Sequence, residues 1–208
     1  MANDLQYAGA PLDPATVADE PLVQVRRWFA EAEAAELPQP NAMMLATVGP
    51  DGQPSARMVL LKEIDDRGFV FFTNYESRKG KELAAQPVAA LVLYWYPLHR
   101  QVRVEGRVER LTAEESDAYF ATRPRGSQLG AIASPQSQVI PDRAVLDRRV
   151  AELEAELAGA PPSRPANWGG YRVIPDAVEL WQGQTDRLHD RVGYRRQAAS
   201  WIKERLAP

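Results

Sequence analysis

Leu22, Val25, Trp28 and Phe29 recur at three- and four-residue spacing, a period that predicts an amphipathic helix over residues 21–36, closed by Pro38-Gln39-Pro40. Beyond Ala42 the period changes. Short runs rich in Val, Leu, Phe and Tyr follow one another between turn signals: AMMLATV, GPDGQP, SARMVLLKEI, DDRG and FVFFTN. These runs read as antiparallel strands joined by tight turns. Ser77 suits the cap of a short helix through Gln86, which Pro87 stops, and residues 88–96 and 100–111 supply two further strands around a turn at Pro97-Leu98. Thr112 opens a Thr-x-x-Glu capping box for a helix to Arg123, ended by Pro124. A helix over 142–157 carries Val145, Leu146, Val150, Leu153 and Leu157 on one stripe. After GAPPSRPAN, strands are expected at 170–173, 177–182, 189–196 and 200–205.

About eight strands with four inserted helices predict a mainly β fold with helices (α+β), an antiparallel β-barrel rather than a parallel α/β sheet. Residues 1–20, rich in Ala, Pro and Asp without periodicity, read as a flexible arm, and 21–208 as a single domain without internal repeats. The 208 residues contain no cysteine, which excludes disulfides, thiolate metal sites and a cysteine nucleophile. Redox chemistry would then need a cofactor. Lys and Arg number 25 against 28 Asp and Glu, a formal net charge of −3, which argues against a general nucleic-acid binder. No basic-then-apolar leader and no apolar run of spanning length is visible, so a cytoplasmic protein without a membrane partner is expected.

Local positive clusters call for a smaller anion. No G-x-G-x-x-G follows a strand, and Gly80-Lys81 lacks the upstream glycine of a P-loop, so phosphate would have to be held by side chains. Ser77-Arg78-Lys79 at a helix start suits an anion, or simply a solvated helix end. Tyr119 and Arg123 share a helix face with Ser127 just beyond, a set that could grip a phosphoryl group or could pack and cap. Arg57 and Lys62 differ by an odd number, so a regular strand would point them apart: either a bulge intervenes or they serve different ligands. Gln101 falls on the polar face of its strand, with Val102, Val104 and Val108 inward. In WQGQTDRLHDR (181–191) an extended chain would turn Arg187, His189 and Arg191 one way and Leu188 and Asp190 the other. That stripe fits an electron-rich or anionic ring, or an exposed strand with cross-strand ion pairs. Trp181 ends an apolar run and could equally be core.

Taken in order, SARMVLLK (55–62), FFTNYESRKGKEL (71–83), RQVRVEG (100–106), YFATRPRGSQLGA (119–131), SPQSQVIPDR (134–143), WGGYRV (168–173), ELWQGQTDRLHDR (179–191) and the terminal ERLAP resemble the pyridoxine (pyridoxamine) 5′-phosphate oxidase family. The resemblance implies a homodimeric, FMN-binding split β-barrel with flavin in clefts at the subunit interface. It implies oxidation of pyridoxamine or pyridoxine 5′-phosphate to pyridoxal 5′-phosphate by hydride transfer from C4′ to flavin N5, with O₂ reoxidising the flavin to give hydrogen peroxide. Carried over by motif, Arg57, Met58, Val59, Leu60, Leu61, Lys62, Phe72, Thr73, Arg78, Lys79, Gln101, Gln136, Ser137, Trp181 and Arg191 would contact FMN. Lys62, Tyr119, Arg123 and Ser127 would hold the substrate phosphate, with Arg187 and His189 over the pyridine ring as the catalytic pair. Two positions depart from the family pattern. Asp4-Leu5-Gln6-Tyr7 keeps the tyrosine of an Arg-x-x-Tyr lid, leaving Tyr7 a weaker substrate contact, and Gln39 stands where an acid is common.

Overall fold

The computed structural model describes residues 9–208. Helix α1 (Pro21–Ala34) starts on a proline, whose missing N–H costs nothing in a first turn, and buries Val25, Trp28 and Ala32. The strands are β1 (Ala42–Val48), β2 (Pro54–Leu60), β3 (Glu63–Ile64), β4 (Phe69–Asn74), β5 (Val88–Trp95), β6 (Arg100–Arg110), β7 (Trp168–Gln182), β8 (Asp190–Gln197) and β9 (Ser200–Leu206). The remaining helices are α2 (Arg78–Ala85), α3 (Ala113–Thr122), α4 (Arg125–Ala133) and α5 (Ala144–Leu157). All pairings are antiparallel in one sheet ordered β2-β1-β5-β6-β7-β4-β3, with β8 on β7 and β9 on β8.

That order explains the curl. β2 and β3 sit at opposite ends of the path yet only Leu61 and Lys62 separate them in the chain, so the sheet must bend round until its ends meet. At the junction Leu61 N–H donates to Asn41 O (2.8 Å) while Lys62 N–H donates to Val70 O (2.9 Å), and the chain passes from one end of the sheet to the other within two residues. The fold is thus an antiparallel split barrel with helices. Its core lies on the concave face, where Met43, Leu45, Leu91, Leu93, Val102, Val104, Val178, Leu180 and Val192 alternate inward along five strands.

Four expectations change. The segments 170–173 and 177–182 form one strand, β7, which runs through Pro175 because a register shift between Glu105 and Gly106 absorbs the interruption. A side chain at Gly106 would fall 2.0 Å from Ile174 O, so this close approach requires glycine. The described residues hold nine strands against the expected eight or so, with 55–64 split at the junction and 170–173 joined to 177–182. Helix α4 was unforeseen: Pro124 does end α3, but it is also the N-cap of α4, where Gln128 Nε2 donates to Phe120 O (2.8 Å) and satisfies a terminal carbonyl of α3. Residues 9–20 are not a free arm. Leu12 and Val17 are buried, Tyr194 OH donates to Ala18 O (2.7 Å) and Lys203 binds Asp19 (2.8 Å). Among the described residues no helix is long and apolar enough to cross a membrane.

Candidate active site

A cleft of about 440 Å³ opens along the seam where the sheet ends meet. Arg57, Met58, Val59 and Leu60 of β2, Lys62 of the junction, Phe72 and Thr73 of β4, Lys79 of α2 and Gln136 line it, facing Tyr119, Arg123 and Ser127. The odd spacing of Arg57 and Lys62 thereby loses its difficulty: no regular strand joins them, because the chain changes partners between them. Leu61 is the one residue of 57–62 that misses the cleft; it is 3% exposed and belongs to the core.

The wall near α2 is built around a buried anion. Glu82 Oε2 accepts from Thr47 Oγ1 (2.5 Å), Ser55 Oγ (2.7 Å) and Arg57 Nη2 (3.2 Å), and Oε1 accepts from Arg78 Nε (2.9 Å). Burial alone would raise this carboxyl, but the four donors bring it down to about 2. Arg57 also donates to Thr47 Oγ1 and Ser55 Oγ, so its guanidinium is fixed from several sides. Ser77 caps α2 through Gly80 N–H. Lys79 Nζ lies 3.2 Å from both Thr73 Oγ1 and Gln136 Oε1; burial, then the Arg57 charge, push its ammonium below the usual range. Arg78 and Ser137 line an adjoining hollow with Gln136, Ser137 at φ 73°. Sequence reasoning found the cations but missed Glu82, although its position four residues after Arg78 was a readable helical-pair signal.

The facing wall is aromatic with one cation. Tyr119 stacks on Phe72 (centroids 3.8 Å apart, 16° between planes), and Lys62 Nζ sits 5.9 Å from the Tyr119 centroid. Arg123 lies over the Trp168 ring at 4.6 Å. Its Nη1 is buried and has no hydrogen-bond partner among the described residues, and burial depresses its pKa. A guanidinium nitrogen held dry and unmatched beside a cleft is chemically suited to an anion. Trp168, which no sequence reading assigned, is the platform for this arginine.

The remaining predicted residues lie elsewhere on the same chain. Gln101, Trp181 and Arg191 occupy one register row across β6, β7 and β8, with Tyr94 next on β5. The row directly behind it, Leu93, Val102, Leu180 and Val192, is core, which places this row on the outer face. Arg191 is fixed by Glu179 through two 2.9 Å bonds. His189 packs 4.6 Å from the Trp181 ring. The expected extended stripe at 187–191 does not form: Thr185–Arg187 is a 3₁₀ turn, Asp186 and Arg187 have φ of 54° and 60°, and β8 begins only at Asp190. Parity therefore cannot align Arg187 with His189 and Arg191; a turn, not a strand, carries Arg187. Tyr7 falls outside the described residues. Among the described residues no cluster of His, Asp and Glu could hold a metal.

Two family profiles cover the chain. One, described as pyridoxamine 5′-phosphate oxidase, matches residues 29–156; the other, described as the pyridoxine 5′-phosphate oxidase C-terminal dimerisation region, matches 168–208. The chain belongs to the pyridoxamine 5′-phosphate oxidase family. A pyridoxine/pyridoxamine 5′-phosphate oxidase of Burkholderia ambifaria is 58% identical over 207 residues, covering 98% of this chain and 96% of that protein. The crystal structure of PhzG from Burkholderia lata 383, in complex with tetrahydrophenazine-1-carboxylic acid, superposes with a TM-score of 0.91 at 35% identity, covering 96% of this chain and 99% of that one. A related FMN-binding protein from Nostoc punctiforme shares the fold, with a TM-score of 0.71 at 19% identity over 88% of this chain and 97% of the other. Within this oxidase family frame, the first profile supplies the cleft's lining apart from Trp168, and the dimerisation region holds Trp168, Trp181, Arg187, His189 and Arg191.

Proposed function

We propose that the protein is an FMN-dependent oxidase that converts pyridoxamine or pyridoxine 5′-phosphate to pyridoxal 5′-phosphate, consuming O₂ and releasing hydrogen peroxide. The observation that carries this reading is the unmatched, buried Arg123 Nη1 in a cleft also lined by Lys62, Tyr119 and Ser127, a donor set suited to a phosphate monoester. The cations of the opposite wall fit a second phosphate: Arg57 and Lys79 in the cleft and Arg78 beside it would hold FMN, with Thr73, Gln136 and Ser137 as hydrogen-bonding partners. When bound, the flavin supplies two-electron chemistry, accepting hydride from C4′ and passing the electrons to O₂.

The protein contributes alignment. Lys62, Tyr119, Arg123 and Ser127 would fix the substrate's phosphate end, and Arg187 and His189 its pyridine ring, so the reacting carbon has little freedom to wander. Because the row of Gln101, Trp181 and Arg191 lies outside the cleft of its own chain, we assign it to the cleft of a second copy in a homodimer. The dimerisation profile over 168–208 and the apolar side chains exposed at the cleft's edge, Met58 at 64% and Leu60 at 40%, support this assignment.

The test is reconstitution with FMN followed by aerobic addition of pyridoxine 5′-phosphate. Equal amounts of pyridoxal 5′-phosphate and peroxide are expected, with unphosphorylated pyridoxine turned over poorly. The likeness to PhzG gives the competing reading, a tricyclic carboxylic acid as substrate; bound flavin, no oxidation of the phosphate ester and oxidation of the carboxylic acid would establish it instead.

A further inference from the structure

The turn that carries Arg187 has an unfavourable backbone, two successive non-glycine residues in the left-handed region, so neighbours must hold it. Two bonds from Gln184 close its base: the backbone N–H donates to His189 Nδ1 (3.1 Å) and Nε2 donates to Asp190 Oδ2 (2.9 Å). The first bond has a chemical consequence. A backbone N–H can only donate, so Nδ1 is the unprotonated nitrogen and neutral His189 carries its proton on Nε2.

Asp190 does more than close the turn. Its Oδ2 also accepts from Leu12 N–H (3.1 Å), and its Oδ1 accepts from Arg205 Nη1 (2.8 Å). Arg205 in turn donates to Leu12 O (3.2 Å) and to Asp13 (2.8 Å), and Gly9 N–H donates to Gly183 O (3.2 Å). One carboxylate thus joins the turn, the N-terminal segment and β9.

We propose that Asp190 is a positioning residue for the reaction: acting through Gln184 it fixes the turn that presents Arg187 and the Nε2–H tautomer of His189, and through Leu12 it couples that turn to the N-terminal segment. The proposal rests on the reading above in assigning Arg187 and His189 to the substrate ring. The proposal gives Asp190 no direct contact with substrate or flavin.

Asp190→Asn replaces one acceptor oxygen by a donor and cannot satisfy Leu12, Gln184 and Arg205 together. In the FMN-loaded protein it should speed amide exchange at residues 9–13, move the His189 ring ¹⁵N shifts from a single Nε2–H tautomer toward a mixture, and lower kcat about tenfold or more while FMN affinity stays unchanged. Gln184→Met removes the link to the turn and a longer bond to Ala10 O (3.4 Å) but leaves Asp190 on Leu12 and Arg205; it should reproduce the tautomer and kcat changes with Leu12 still protected, and it decides the matter if Asp190→Asn does not fold. Faster exchange with unchanged tautomer and kcat would make Asp190 a merely structural anchor and overturn the proposal, as would an unchanged tautomer in Gln184→Met. If the wild type does not oxidise the phosphate ester at all, it is the functional reading that fails, and the exchange and ¹⁵N readouts still judge the coupling.

Discussion

The cleft and the outer row are each built on a carboxylate shared by two arginines, and they differ in what lies beside it. In the cleft, Arg57 shares the buried Glu82 with Arg78 of the adjoining hollow and Arg123 keeps a dry nitrogen without a partner among the described residues, so positive charge is fixed in place before any anion arrives. In the row, Arg191 shares Glu179 with Arg103, and Arg187 stands beyond the row on an exposed turn. A preorganised charged pocket suits phosphates, and under the proposed function the row with the neighbouring turn would cover and orient a ring. If the two act together only across a dimer, they can be separated genetically. Arg123→Met and Arg187→Met should each lower kcat/KM by about a hundredfold, the cost of a charge-assisted contact. Mixing the two variants under subunit exchange should restore about a quarter of wild-type activity, because half of the dimers are mixed and one of their two sites is intact. If cleft and row served the same chain, the mixture would stay as inactive as its parents.

The next effect sharpens the charged side of the contrast. Glu82 is lowered to about 2 from an ordinary 4.5, so its stabilising contribution is fully present above pH 4.5 and is lost as pH falls toward 2. Glu82→Gln should therefore cost on the order of 2–3 kcal/mol in urea unfolding at pH 7, with the gap to wild type narrowing steadily between pH 4.5 and 2. FMN affinity should fall alongside, since Arg57 and Arg78 lose their common anchor. A gap that did not change with pH would mean that the cleft owes its order to packing and not to this anion.

The two regions also differ in how far they could be read from the sequence. β1, the capping box of α3 and the Ser77 cap follow from local rules, because turn residues, period and caps lie within a few positions of one another. One member of the row was legible too: alternation puts Gln101 outside and Val102 and Val104 inside, as found, while Trp181 stayed open. The cleft was not. Arg57 and Lys62 reach one space only because the sheet closes between them, and Glu82 and Trp168 matter through contacts with β1, β2 and α3 that no periodicity encodes. At 187–191 the alternation rule failed for a local reason: Leu188 N–H bonds back to Thr185 O (3.0 Å), closing a turn where a strand was expected. The family resemblance supplied ligand names for residues in both regions, but the geometry alone shows that one chain does not bring them together.

The smallest effect tests the row itself. Burial, and then the Arg187 charge, hold the His189 imidazole below its ordinary 6.5. A base whose pKa is lowered by folding resists a proton that the unfolded chain accepts, so stability is unaffected above 6.5 and declines as pH falls from there to the folded pKa, then levels off. In an NMR titration His189, assigned by comparison with His189→Asn, should have its midpoint below 6.5, and Arg187→Met should move that midpoint upward. At neutral pH the ring would then enter the proposed site uncharged, as a donor through Nε2 beside a cationic Arg187. A midpoint above 6.5 would make both groups cationic at pH 6 and erase the contrast with the cleft, turning the row into a second anion site rather than a surface that orients a ring.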